Sequence, residues 1–453
     1  MTNAAPSTGP THSDHLEPIA HPTFGAAVRF WLKLGLISFG GPTGQIAIMH
    51  TELVEKRRWI SEARFLHALN YCMLLPGPEA QQLASYIGWL LHRTWGGIVA
   101  GSLFVLPSAM LLWLLSYVYV AHGDVRWIAA VFDGLKPAVA AIVAHAVLRI
   151  GTRVLKNGVM WSLAALAFVA IFFLKCPFPV IIVAAGLLGL VGGRFWPQWF
   201  VVIKHKGTSR GTAPQSVLDD GAAILEHTRP TVGRAIRVSV VCLTLWSAPL
   251  IALWLWRGGS DVLFQEGLFF SKAAMVTFGG AYAVLPYVAQ QAVERFGWLS
   301  AGQMLDGLGL AETTPGPLIM VVQFVGFLGA WNLHGDLPPL LAATLGAATV
   351  TWVTFVPCFF WIFLGAPYVE NLRDNARLTA ALSAVTAAVV GVVLNLAIWF
   401  AQHVLWPDGG DIDWMAVTIA LVAFIGLTRW HWDVVAVVIG SGVVGVLATG
   451  IGG

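Results

Sequence analysis

Lys33 and Lys272 each stand in apolar sequence six positions ahead of a Phe-Gly-Gly triplet, Phe39-Gly40-Gly41 in one case and Phe278-Gly279-Gly280 in the other. Each triplet is followed, at the same distance, by Pro-Gly-Pro: Pro76-Gly77-Pro78 and Pro315-Gly316-Pro317. A lysine at the centre of a membrane span costs about 2.5–3.5 kcal/mol on insertion scales, so two at matched places need a reason. One reason is snorkelling, in which the stem carries the ammonium back to the interface. The other is an anion site, where two buried, symmetry-related cations converge near the midplane and hold a doubly charged anion. The glycines favour the second reading, because a backbone without Cβ lets N–H groups approach a ligand, and the N-terminus of a half-helix carries about half a positive charge. Gly40 and Gly41 with Ser38, and Gly279 and Gly280 with Thr277, offer the amides and hydroxyls that a tetrahedral oxyanion needs. Close helix packing is the competing use of such glycines.

Proline is favoured at the first position of a helix and disfavoured inside one, so each Pro-Gly-Pro ends one helix and aims a fresh N-terminus into the protein. The residues of both motifs, Pro76, Gly77, Pro78, Pro315, Gly316 and Pro317, join the candidate binding set, as do Thr313 and Thr314. Carboxyls flank them: Glu79 follows the first motif and Glu312 precedes the second. Desolvation favours the neutral form of a carboxyl, which suits it to carry a proton, and Glu79 and Glu312 are therefore the candidates for coupling transport to a proton gradient. For Glu79, complementing the helix dipole is an alternative role. Tyr282, Gln81, Gln82 and Gln323 are weaker candidates for lining the path. His67, His92 and His145 read as interfacial or inter-helix hydrogen-bond partners.

Other chemistries find little support. The chain has no GxxxxGK[ST] sequence to bind ATP and no Ser/His/Asp arrangement of recognisable spacing. Cys72, Cys176, Cys242 and Cys358 are far apart, without the spacing of a zinc site or a redox dithiol, and read as packing residues. No catalytic residue, cofactor or resident metal is expected, and the chain does not read as an enzyme.

The elements that must position these residues come from a duplication. Residues 30–78 align with 269–317 without a gap and share 14 identities in 49 positions, among them Phe30/Phe269, Glu55/Glu294, Trp59/Trp298 and Ser61/Ser300. With 57% hydrophobic and only 11% charged residues, the chain lacks the charge that a soluble surface needs. Its mean hydropathy of +0.74 and its 21 tryptophans fit an all-α polytopic membrane protein with aromatic belts, and pairs such as Trp196/Trp199, Trp254/Trp256 and Trp430/Trp432 fall at span ends. The net charge of +3 is spread over loops, and no aromatic-interleaved basic tract suggests nucleic acid.

Spans of about 20 apolar residues are expected near 97–121, 127–148, 159–175 and 178–193, and again near 337–367, 378–402, 414–428 and 434–451. The Phe-Gly-Gly and Pro-Gly-Pro regions interrupt shorter apolar runs, which read as broken or re-entrant helical hairpins at the centre of the protein. The expected organisation is a disordered tail over 1–22, a first repeat over 23–203, a cytoplasmic linker over 204–237, a linking transmembrane helix over 238–257 and a second repeat over 258–453. Lysines and arginines in short loops, such as Lys56-Arg57-Arg58, gather on one side if the single linking helix reverses the second copy. Two homologous repeats of inverted topology are the expected architecture.

The strings Phe39-Gly40-Gly41-Pro42 with Leu75-Pro76-Gly77-Pro78-Glu79-Ala80-Gln81-Gln82, and Phe278-Gly279-Gly280-Ala281-Tyr282 with Glu312-Thr313-Thr314-Pro315-Gly316-Pro317, resemble the chromate ion transporter family. The resemblance runs from about Phe24 through Trp331 and the later spans, and the length is similar to the long, fused members. It implies export of chromate across the cytoplasmic (inner) membrane and chromate resistance, with sulfate as the alternative tetrahedral dianion. Protons are the expected coupling ion and the lipid bilayer the surroundings; a homodimer is left open. An anion channel of the same architecture is the competing class, separable by flux that follows voltage alone. A membrane reductase fares worse, since no haem, flavin or iron–sulfur ligand pattern is present.

Overall fold

The computed structural model describes residues 20–39, 41–123, 125–200, 216–218, 230–368, 376–407 and 410–451. Gly40, the expected tail through residue 19 and most of the expected linker lie outside the described residues. The architecture is all-helical, with one isolated bridge between Ile60 and Leu218.

The first copy begins with α1 (Phe24–Ile37), capped by the Thr23 side chain. After the break come α2 (Gly41–His50) and a π-helical turn over Thr51–Lys56. Then follows α3 (Glu62–Leu74), whose N-cap Ser61 accepts from the Arg64 amide. Beyond Pro-Gly-Pro, α4 (Glu79–His122) is two helices in one, because His92 and Arg93 depart from helical geometry and Arg93 has φ +55°. The copy continues with α5 (Arg126–Val154), α6 (Gly158–Phe172), α7 (Phe178–Phe195) and the single turn α8 (Pro197–Phe200). The apolar helix α9 (Val232–Arg257) leads to the second copy.

There the same order returns: α10 (Val262–Val276), α11 (Ala281–Ala289), a π-helical turn over Gln290–Arg295, and α12 (Ala301–Thr313). Ser300 caps α12 with Gln303 in a capping box, at the position matching Ser61. A 3₁₀ turn over Leu318–Met320 opens α13 (Val321–Asn332), and α14 (Pro339–Gly365), α15 (Ala376–Leu405), α16 (Trp414–Arg429) and α17 (Val434–Ile451) complete the chain. Among the described residues α4, α5, α7, α9, α14 and α15 are long and apolar enough to cross a membrane, and α6, 318–332, α16 and 434–448 are shorter apolar helices. Every span expected from the sequence is met by a helix. Helix α9 begins at Val232, ahead of the apolar segment, where Arg234 lies over the Trp89 ring at 4.9 Å and donates to the Phe363 carbonyl at 3.2 Å.

The copies exchange partners. Helix α5 of the first packs on α16 and α17 of the second, α15 of the second packs on α6 and α7 of the first, and α5 and α15 also touch each other. Small residues permit this: a Cβ on Gly134 would overlap the backbone of Ser441, and one on Gly189 would meet the Ala381 Cα at 2.6 Å. Inside each copy the turn after Pro-Gly-Pro is closed by a glycine pair, Gly88 with Gly96 and Gly326 with Gly346, where backbone lies against backbone. Trp196, Trp199, Trp254, Trp256, Trp430 and Trp432 are exposed, as belts require.

One contact was not foreseen. Val217 and Leu218 donate to the carbonyls of Arg58 and Trp59 at 3.0 and 3.1 Å, and the Ser61 amide donates to Leu218 at 3.1 Å. Leu218 is buried there, so residues 216–218, between the copies, are fastened to the tip of the first hairpin.

Candidate functional site

The two breaks cross at the centre. The Gly77 amide donates to the Thr277 carbonyl at 2.7 Å, and the Gly316 amide donates to the Ser38 carbonyl at 2.8 Å. Each Pro-Gly-Pro thus pairs with the end of the first helix of the other copy, and satisfies a carbonyl that α1 or α10 leaves open. Both glycines hold positive φ, +127° at Gly77 and +107° at Gly316. Each is also walled in by the long helix of the opposite copy. A Cβ on Gly77 would lie 2.8 Å from the Cys358 Sγ and 2.8 Å from the Gln82 Nε2, and one on Gly316 would lie 2.6 Å from the Ser108 Cβ. Ser108 and Cys358 follow Pro107 and Pro357 inside α4 and α14. The sequence did not single out Ser108, and it read Cys358 only as a packing residue, the part it plays against Gly77; the available signal for the pair was a proline in the middle of each span.

The hydroxyls of the expected binding set serve backbone in this arrangement. Ser38 donates to the Leu34 carbonyl at 2.6 Å and Thr277 to that of Ala273 at 2.7 Å. Thr313 donates to Leu310 at 2.9 Å and Thr314 to Ala311 at 3.1 Å. The glycines take the conformations a break requires: Gly41 has φ +68° at the start of α2, and Gly279 and Gly280 have φ +80° and +91° ahead of α11. Two half-helix N-termini therefore begin at the crossing, as the sequence suggests.

Glutamines lock the motifs. Gln82 donates to the Pro76 carbonyl at 2.8 Å, and Gln81 to the Ser85 hydroxyl at 3.1 Å. Gln45, which the sequence did not single out, reaches from α2 to the Gly316 carbonyl at 2.5 Å and the Ser38 carbonyl at 3.3 Å. Gln323 donates to the Ala109 carbonyl at 2.8 Å, tying α13 to α4. His92 bonds the Pro22 carbonyl at 2.9 Å, ahead of α1.

The charged candidates divide. Glu312 is buried and accepts the Tyr282 hydroxyl at 2.5 Å, which joins the end of α12 to the start of α11. Glu79 is half-buried in the first turn of α4. Arg149 and Arg153 are exposed on α5. Lys33 and Lys272, expected as buried lysines, are exposed on α1 and α10. The reason is helical phase: α1 buries Ala27, Phe30, Trp31 and Leu34 and α10 buries Phe269, Phe270, Ala273 and Ala274, which leaves each lysine outside the packed stripe. Among the described residues no three His, Cys, Asp or Glu side chains converge in a metal-binding group.

A family profile described as chromate transporter matches the chain twice, over residues 26–190 and 264–446, one match for each copy of the helix order. A chromate transport protein of Pseudomonas aeruginosa is 32% identical over 433 residues, covering 94% of this chain and 92% of that protein. A chromate transport protein of Cupriavidus metallidurans is 27% identical over 445 residues, covering 98% and 97% respectively. A shorter relative, an uncharacterized transporter of Bacillus subtilis, is 30% identical over 143 residues, which cover 31% of this chain and 71% of that protein. No solved structure matches.

Proposed function

The chain belongs to the chromate transporter family, and from that premise we propose that it is a secondary transporter that exports chromate across the cytoplasmic (inner) membrane and so confers chromate resistance. The observation that carries the mechanism is the reciprocal crossing, with Gly77 bonded to Thr277 and Gly316 bonded to Ser38. It brings two half-helix N-termini and two Pro-Gly-Pro turns to one place, each contributed by both copies. A dianion there would meet the positive ends of α2 and α11 and the amides of Gly41, Gly279 and Gly280, with Gly40, the remaining glycine of the expected set, outside the described residues. Lys33 and Lys272 supply the compensating charge in this reading. Both occupy the same repeat position, six residues ahead of a Phe-Gly-Gly triplet, and this match supports the assignment.

Glu312 and Glu79 are the proposed proton carriers. The Tyr282–Glu312 bond supports the first assignment, because it sets the buried carboxyl beside a hydroxyl with which a proton can be exchanged. The copies are proposed to be inverted, with the single helix α9 reversing the second. Sulfate, a tetrahedral dianion like chromate, is the competing substrate.

Radiolabelled chromate uptake into everted vesicles tests the reading. Saturable accumulation that collapses with the proton gradient is expected, with excess sulfate defining selectivity. Flux that only equilibrates, or that follows voltage alone, rejects a coupled exporter.

A further inference from the structure

A second polar cluster lies next to the tip of the second hairpin. A cavity of ≈ 330 Å³ there is lined by Tyr119, Asp133, Lys136, Gln303, Asp306 and Asn332, among others. Asp306, on α12, is only 3% exposed. Its Oδ2 accepts the Tyr119 hydroxyl at 2.9 Å, while its Oδ1 has no hydrogen-bond partner among the described residues. Lys136, on α5, donates to Asp133 at 2.9 Å and shares the cavity with Asp306, its Nζ 4.0 Å from where a Cβ on Gly302 of α12 would lie. The buried carboxyl belongs to the second copy, and Tyr119, Asp133 and Lys136 belong to the first. Seating the second hairpin on the first copy is therefore what assembles the cluster. Removing one partner from such a group leaves a buried charge uncompensated, so its members act together.

The two hairpins are not seated alike. In α11 every residue but Tyr287 is buried, whereas in α2 only Gln45 and Met49 are. Helix α12 packs on α5, with Gly309 against Leu135 and Val139, and α11 packs on α15, with Gly279 beside Thr386 and Val389. The corresponding pairs, α3 on α15 and α2 on α5, make no comparable contact among the described residues. The repeat-related positions of this cluster also differ. The repeat offset places His67 where the second copy has Asp306, and the match of Pro107 with Pro357 places Thr386 where the first copy has Lys136.

We propose that Tyr119, Asp306, Lys136 and Asp133 form the gate that closes the protein at the end of the second hairpin, with the first hairpin released at the opposite end. The inference rests on the transporter reading, in which one end closes while the other opens about a central site. The gate holds the second hairpin by charge and the phenol bond; the repeat-related positions of the first hairpin and its partner helix carry His67 and Thr386 instead of Asp306 and Lys136. Loss of the cluster shifts the population toward the conformation open at the second hairpin.

One cysteine reports on it. In the full chain with Cys72, Cys176, Cys242 and Cys358 replaced by serine, Thr313→Cys is labelled by a membrane-impermeant maleimide in vesicles of either orientation. Asp306→Asn and Lys136→Gln are expected to raise labelling about tenfold from the face carrying residues 297–300, and to lower it from the other face. Tyr119→Phe keeps the ring volume and removes one hydroxyl; it gives a smaller change of the same sign and serves if the charge variants fail to reach the membrane. Unchanged labelling on that face, or an equal rise on both, overturns the gate. The readout uses no chromate. Flux is measured separately in chains that keep Thr313 and the native cysteines: one-sided opening without chromate flux there would reject the substrate reading alone, and chromate flux with indifferent labelling would reject the gate alone.

Discussion

Glu312 and Lys272 mark two ways in which a charged side chain enters an apolar chain. The carboxyl is covered and bonded to Tyr282, so its replacement disturbs a defined contact, while the ammonium is exposed and carries no such contact. Glu312→Gln should therefore remove the dependence of chromate flux on the proton gradient while protein still reaches the membrane, and Tyr282→Phe should weaken it by a smaller factor. Initial rates in vesicles at imposed gradients measure both. An unaltered gradient dependence in Glu312→Gln and Glu79→Gln together removes the carboxyls from the coupling role. For the lysines, Lys33→Ala and Lys272→Ala should each lower apparent chromate affinity by about tenfold, as loss of one charge-assisted contact of 1.4 kcal/mol would do. Normal affinity in both would leave them as snorkelling residues. At this scale the sequence was informative where residue type alone is restrictive, as at Gly77 and Gly316. It could not pair Gln45 with Gly316 or Cys358 with Gly77, because those contacts join segments about 270–280 positions apart and follow from tertiary packing.

The helices themselves were largely legible. Length and hydropathy are local properties, and the runs near 127–148 and 378–402 became α5 and α15 with little change in bounds. What remained hidden depends on neighbours. Helix α4 carries on from Glu79 through the kink at His92 and Arg93, the π-helical turns precede Trp59 and Trp298, and α5 and α15 exchange partners between copies. The Pro-Gly-Pro turns give the sharpest element-level test. Gly77→Ala and Gly316→Ala combine a positive φ with a Cβ closer than 3.0 Å to the opposite copy, so each should lower stability by roughly 2–4 kcal/mol, from backbone strain and overpacking together. Gly158→Ala, in the first turn of α6 with nothing within 4 Å, is the matched control and should leave stability within about 1 kcal/mol of the parent. Thermal unfolding of the purified protein in detergent compares them. Equal midpoints for all three would mean that the crossing is not rigid. A second test concerns the fastening of the inter-copy segment: Leu218→Asp places a charge in a buried niche and should free that segment to proteolysis without loss of membrane insertion.

For the molecule as a whole, the decisive property is the sense in which the second copy lies relative to the first. The same helix order on both sides of α9, the double family match and the exchange of α5 and α15 between copies all describe a pseudo-symmetric body. Its axis lies in the membrane plane if the copies are inverted and along the membrane normal if they are parallel. The charge pattern favours inversion: the first hairpin tip carries Lys56, Arg57 and Arg58, whereas the matching tip carries Arg295, Phe296 and Gly297. A single cysteine introduced at Ser61 in one chain and at Ser300 in another, with native cysteines replaced, places a probe at the matched N-caps of α3 and α12. Inversion requires that an impermeant reagent added to intact cells label the Ser300 variant and reach the Ser61 variant only after the membrane is opened. Labelling of both from the same side would make the repeats parallel. It would also separate the gate cluster from the extracellular face to which the inverted arrangement assigns it, since Asp306 and Ser300 share one helix and its cap.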